Sequence, residues 1–127
     1  MNEAAWEGLG RIGQVAIGVR DLDRAVAFYR DTLGMRFLFR VPRMAFFDCG
    51  GLRLMLALPE GEERQAPASI LYFAVADIMR AASEIAGRGA FVRAEPQLVA
   101  RMPDHELWMA FFLDSEGNTF ALMSEVR

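Results

Sequence analysis

The tetrapeptide "MAFF" occurs twice in this chain, at residues 44–47 and 109–112, each time a few residues before a glycine-containing turn. If the repeat belongs to a duplication, it constrains the fold strongly, because every element must then appear twice. The flanking sequence supports a duplication. "VRDLDRAVAFYRDTLG" (19–34) matches "VADIMRAASEIAGRG" (75–89), so that Val19, Asp21, Arg24 and Ala25 recur as Val75, Asp77, Arg80 and Ala81. In each copy an aspartate stands where a helix N-cap belongs, and a glycine stands where the helix should stop. Between them the apolar residues follow helical spacing: Leu22, Val26, Tyr29 and Leu33 in one copy, Ile78, Ala81, Ala82 and Ile85 in the other.

Each helix follows a strand-like run, "IGQVAIGV" (12–19) or "SILYFAV" (69–75), and precedes a short strand candidate, "MRFLFR" (35–40) or "AFVR" (90–93). The MAFF strands then turn through "DCGG" into "LRLMLAL" (52–58) and through "DSEGN" into "TFALMS" (119–124), as hairpins do. The predicted fold is α+β: two tandem βαβββ modules at about 11–58 and 69–125, forming one domain, with the polar, Pro-bounded stretch 59–68 as linker. The copies disagree in one place. From Asp21 to Met44 is 23 residues and from Asp77 to Met109 is 32, so the second module carries nine extra, within "AEPQLVARMPDHEL" (94–107). That segment reads as a long loop holding the only histidine, His105, and long loops on compact scaffolds often carry function.

The 127 residues, 54% of them apolar, suffice for one well-filled core. No apolar run approaches the ~20 residues of a membrane span, and the start "MNEAAWEG" is acidic, so the expectation is a soluble, cytoplasmic protein that engages no membrane. All 14 basic side chains are arginine and the net charge is −3, which disfavours lysine Schiff-base chemistry and nucleic-acid binding. The one cysteine, Cys49, excludes an intrachain disulfide and a thiolate zinc cluster, and reads as a small buried residue.

The paired modules, with "VRDLDRAVAFYRDTLGM" after the first strand and "FFLDSEGNTFALM" at the end, resemble the vicinal oxygen chelate superfamily. That family includes glyoxalase I, extradiol dioxygenases, fosfomycin-resistance enzymes and bleomycin-resistance proteins, and the similarity spans about residues 11–125. The resemblance implies sheets curled into half-cups, two of which enclose a site, often across a homodimer. It also implies a metal held by His, Gln or Glu on the first and last strands of each module, acting as a Lewis acid on two substrate oxygens. Counting seven residues back from each capping aspartate gives Gln14 and Ile70. Counting four beyond each turn glycine gives Met55 and Ala121. Of these four only glutamine offers an oxygen, and a thioether suits soft metals, so no metal and no other cofactor is expected. A one-residue slip gives Val15, Leu54 or Leu56, Leu71, and Phe120 or Leu122, none of which is a ligand.

Strand alternation puts Gln14, Ala16 and Gly18 on one face with Arg53, Met55 and Ala57, and in the second module Ile70, Tyr72 and Ala74 with Thr119, Ala121 and Met123. The opposite faces are uniformly large and apolar, as a helix-covered core requires. The mixed faces are the expected pocket for a small organic ligand, lined by Gln14, Arg53, Met55, Ile70, Tyr72, Ala121 and Met123, with Arg101, His105 and Trp108 from the inserted segment at its mouth. Each has an ordinary alternative: a satisfied amide for Gln14, an interface ion pair for Arg53, packing for Tyr72, a solvated loop residue for His105. Phe46, Phe47, Phe111 and Phe112 read as core. His105 and Tyr72 are the candidate catalytic groups, since histidine and phenol can exchange protons. Three functions fit: a metal-free small-molecule-binding protein; an isomerase, lyase or dioxygenase-like enzyme acting on a small carbonyl or carboxylate compound; or an interaction scaffold.

Overall fold

The computed structural model describes residues 5–59 and 69–127. The linker expected over 59–68 therefore lies, apart from Pro59, outside the described residues. The first module consists of β1 (Gln14–Gly18), α1 (Leu22–Ala27), β2 (Arg36–Val41), β3 (Met44–Cys49) and β4 (Leu52–Ala57). The second consists of β5 (Leu71–Ala74), α2 (Ile78–Gly87), β6 (Phe91–Arg101), β7 (Glu106–Leu113) and β8 (Thr119–Val126). The two sheets have the same order, β1-β4-β3-β2 and β5-β8-β7-β6, with a parallel first pair in each and antiparallel hairpins beyond it. The duplicated βαβββ architecture is what the repeat predicts.

Local chemistry explains the helices. The Asp21 carboxylate accepts from Arg24 N–H at 3.0 Å and the Asp77 carboxylate from Arg80 N–H at 3.1 Å, each satisfying a first-turn donor that has no partner inside its helix. Past the helices, Gly34 (φ +70°) and Gly89 (φ +105°) adopt left-handed backbone that a side chain would strain. Between α1 and Gly34 the helix widens into a π-turn at Phe28–Thr32, in which Leu33 N–H reaches the Phe28 carbonyl at 3.0 Å. At this widening the chain changes partners. Tyr29 stays buried in the first core, whereas Phe28 and Leu33 pack against both cores.

The first core joins Ile17, Val19, Leu22, Val26, Tyr29, Phe47, Leu54 and Leu56, and the second joins Ile78, Ala82, Ala110, Phe112, Phe120 and Leu122. Each module thus buries one sheet face beneath its helix and leaves the other open, as an antiparallel-rich sheet can. The MAFF strands straddle this division. Ala45, Phe47, Ala110 and Phe112 are buried, while Met44, Phe46, Met109 and Phe111 are only partly so. The expectation that all four phenylalanines are core is therefore corrected. Period-two alternation sends one of each pair to the open face. Cys49, also expected in the core, is half-buried at the end of β3.

A second correction concerns the inserted segment. Residues 94–107 are not a loop; nearly all of them extend the β6–β7 hairpin, with Gln97 opposite Met109, Leu98 opposite Trp108, Ala100 opposite Leu107 and Arg101 opposite Glu106. Only residues 102–105 turn, closed by Met102 N–H donating to the His105 carbonyl at 2.8 Å. The extra backbone is satisfied by ladder pairing, and three register shifts accommodate the insertion and Pro96. Strand β2 carries a similar shift between Phe37 and Phe39, so both outer edge strands are irregular, whereas β1 and β5 pair in unbroken register.

The turn at 114–118 fastens the modules together. The Asp114 carboxylate accepts from the buried Tyr29 hydroxyl at 2.7 Å, and Asn118 Nδ2 donates to the Gly18 carbonyl at 3.2 Å. Glu116, whose side chain is 2% exposed, accepts from Arg20 N–H (2.8 Å), Asp21 N–H (2.9 Å) and Arg24 Nε (2.7 Å) at the start of α1. Burial pushes its carboxyl up. Arg24, the two backbone amides and Ser115 outweigh that and bring it down to about 2. Burial and the Asp114 charge push the Tyr29 phenol far above its usual value, so it stays a neutral donor.

Candidate functional site

Register places the residues of the open faces in rows. On the first sheet, Arg36, Asp48, Arg53 and Gln14 form one row, and Phe39, Phe46, Met55 and Ala16 the next. On the second, Phe111, Ala121 and Tyr72 form one row, and Gln97, Met109, Met123 and Ala74 the next. Of the candidates, Gln14, Arg53 and Met55 therefore come together on one face, and Tyr72, Ala121 and Met123 on the other. Ile70 directly precedes β5 and is 41% exposed. Ala121 shares the face but is itself buried, between its row neighbours Tyr72 and Phe111, whose rings meet edge-on at 6.0 Å.

The polar contacts are concentrated on the first sheet. Arg53 Nε donates to Gln14 Oε1 at 3.0 Å, and Gln14 Nε2 approaches the Met55 sulfur at 3.8 Å. The Arg53 guanidinium lies over the Phe46 ring, 5.3 Å from its centroid, and Phe46 stacks on Phe39 at 4.5 Å. The second sheet's open face is mainly apolar, with Gln97, Thr119 and the Tyr72 hydroxyl among its polar groups. Among the described residues, no hydrogen bond or ring contact links the open face of one sheet to that of the other.

Arg101, His105 and Trp108 fall elsewhere. Trp108 alternates with Ala110 and Phe112 and packs against the second core, which puts it on the helix-covered side rather than at a cup mouth. Arg101 faces Glu106 at 3.5 Å. His105, 16% exposed by side chain, binds Asp104 through Nδ1 at 2.7 Å, and Asp104 in turn binds Arg127 at 3.1 Å. The hydrogen bond from His105 holds the Asp104 carboxyl below its ordinary range. This dyad stands at the hairpin tip and, among the described residues, makes no hydrogen bond or ion pair to Gln14, Arg53 or Tyr72. Cys49 offers no thiolate, since burial and then the Asp48 charge push its thiol up.

The donor chemistry does not fit the family's metal. Met55, Ile70 and Ala121 supply no oxygen or nitrogen, and among the described residues no group of three or more His, Cys, Asp and Glu converges on a point. A separate cavity of about 400 Å³ lies between the modules on the helix side, lined by Leu33, Met35, Phe73, Val75, Ile85 and Phe120. Its one cation, Arg88, is already bonded to Glu84 at 3.0 Å.

Sequence reasoning found the paired faces but missed the 114–118 fastening. The "DSEGN" motif showed only as a turn, and its partners lie some ninety residues earlier in the chain.

Known proteins share this architecture. A lactoylglutathione lyase from Agrobacterium tumefaciens superposes with a TM-score of 0.74 at 22% identity, over 92% of this chain and 95% of that one. A superfamily member from Sphaerobacter thermophilus gives 0.73 at 24% identity, over 92% and 98%. TioX from a Micromonospora species gives 0.72 at 22% identity, over 92% and 100%. A comparison with curated proteins gives no match. Among the described residues no helix is long and apolar enough to cross a membrane. The sequence model of the Glyoxalase/Bleomycin resistance protein/Dioxygenase superfamily matches residues 11–122, and the chain belongs to that superfamily.

Proposed function

We propose that this protein binds a small organic molecule between its open sheet faces without a catalytic metal, as a single two-module domain working in the cytoplasm. The observation that carries the reading is the contrast at the four family positions. Gln14 is joined there by Met55, Ile70 and Ala121, while the surrounding face keeps a hydrogen-bonded arginine and exposed aromatic rings. A polar row beside exposed aromatic rings, with no set of metal donors among the described residues, suits ligand capture better than Lewis-acid chemistry.

A homodimer completes the cup in this reading. Tyr72 is 45% exposed and Phe39 44%, and nothing described in the chain covers either face, so a second copy supplies the missing wall. Light scattering is expected to give twice the 14.2 kDa chain mass. A monomer at micromolar concentration would remove the shared cup.

Metal analysis of protein purified without chelator is expected to find well under one divalent ion per chain; one equivalent of Ni, Zn, Mn or Fe, lost on Gln14→Ala, would overturn the metal-free reading. A thermal-shift panel of carbonyl, aromatic and carboxylate compounds is expected to include members that raise the melting temperature by several degrees. A ligand at a hundred times its Kd adds about 2.7 kcal/mol to folded-state stability. A panel without a single hit, at millimolar concentrations, would sink the binding function.

A further inference from the structure

We infer that the open face of the first sheet selects a planar aromatic monocarboxylate, its carboxylate on Arg53 and its ring against the Phe39–Phe46 pair. The inference rests on the small-molecule reading above and names the class of ligand.

The arrangement around Arg53 carries it. Arg53 uses Nε on Gln14, at 3.0 Å, and lays its plane over Phe46. Two independent contacts thus fix the guanidinium before any ligand arrives, which lowers the ordering cost of binding. The Gln14 amide is oriented in turn, with its nitrogen toward the Met55 sulfur and its oxygen toward Arg53. Both terminal nitrogens of Arg53 make no hydrogen bond among the described residues, and together they present the planar fork that matches a carboxylate. Six other arginines (Arg24, Arg30, Arg40, Arg88, Arg101 and Arg127) sit within 4 Å of a carboxylate. Arg53 is paired with a neutral amide, so its charge is not cancelled by its partner.

The anion's charge follows from the same row. Asp48 is the cross-strand neighbour of Arg53, and its carboxylate accepts from Gly51 N–H at 3.2 Å rather than pairing with the guanidinium. Arg36 and Arg53 flank this one fixed anion, so the row carries a net single positive charge, which suits a monoanion better than a phosphate dianion. The ring is called for by what stands next to the fork. Phe46 lies between Arg53 on β4 and Phe39 on β2, and the Phe39–Phe46 planes are inclined by only 26°. The exposed side of Phe39 extends that stack, and an aromatic ring gains more there than a saturated one of equal area.

The test uses calorimetric titration of the full chain with 1-naphthoate, 1-naphthamide, cyclohexanecarboxylate and 1-naphthyl phosphate. Naphthoate is expected to bind about tenfold or more tighter than the amide, which lacks the charge, and several-fold tighter than the other two. Arg53→Gln should bring naphthoate down to the affinity of the amide while leaving the amide unchanged, and Arg53→Lys should recover only part of the loss. Phe46→Leu should weaken naphthoate and spare cyclohexanecarboxylate. Equal affinities for naphthoate and naphthamide, or naphthoate binding that survives Arg53→Gln, would overturn the inference. So would failure of all four compounds to bind while other members of the thermal-shift panel do, and that result leaves the binding function standing. Only a panel with no hit at all removes both.

Discussion

Replacing Phe47 or Phe112 by alanine is expected to cost about 3–5 kcal/mol each, whereas the adjacent Phe46→Ala and Phe111→Ala should cost less than about 1.5. The four residues are the same amino acid in the same tetrapeptide, one position apart, and only the sheet face differs. Phe47 and Phe112 are fully buried. Phe47 meets Phe37 at 5.5 Å and Tyr29 at 6.1 Å, and Phe112 stacks on Phe120 at 5.4 Å. Truncation there loses transfer free energy and leaves a void that packed neighbours cannot fill. Phe46 and Phe111 already touch water on the open face, so their removal exposes little more. Against a typical domain stability of about 5–15 kcal/mol, the core variants should approach unfolding at 37 °C. Urea titration decides the matter: the core pair should lower the midpoint sharply at constant slope, and the open-face pair only slightly. Equal losses at all four positions would mean that the faces are assigned wrongly.

The second large effect concerns Glu116. Its carboxyl titrates near 2 in the folded chain against an ordinary 4.5, so the folded state binds its proton more weakly than the unfolded state does. The stability this confers is fully present above about pH 4.5 and is lost as the pH falls toward 2. Its size is on the order of 3 kcal/mol, because the side chain is 2% exposed and two of its donors are backbone amides at the start of α1. Glu116→Gln should therefore lower the melting temperature at pH 7 by about 10 °C and flatten the acid limb of the stability curve. The two proteins should converge near pH 2. If the variant ran parallel to wild type from pH 7 to pH 2, some other acid would be responsible for the acid sensitivity.

Glu116 also shows where the amino-acid sequence stops being informative. Helix caps at Asp21 and Asp77, glycine stops at Gly34 and Gly89, and two-strand hairpins are decided within a few residues, so the duplication could be read directly and the topology followed. The Glu116 contacts join residues 92–96 apart, and no local spacing announces them. The β6–β7 hairpin escapes local reading for a different reason. Pro96 and the charged tip look like loop, while the pairing that keeps the segment extended comes from β7 opposite. Of the site, the grouping of Gln14 with Arg53 and Met55 followed from strand alternation. That Arg53 spends its Nε on Gln14 and lies over Phe46 depends on side-chain reach across three strands. The outward turn of Phe46 and Phe111 was available in the same alternation, though an aromatic residue in a strand is most often core.

The contrast between edge strands bears on how copies of this chain can meet. A strand added at β2 or β6 would face a broken register and, in β6, a proline without an N–H and the charges of Arg93 and Glu95. β1 (QVAIG) and β5 (LYFA) hold neither charge nor proline and pair evenly. In the homodimer proposed above, a two-fold axis setting β1 of one copy beside β5 of the other would use both of these edges at once. The outer edges would then give a third chain nothing to extend, and assembly would end in a closed pair instead of growing into a fibre.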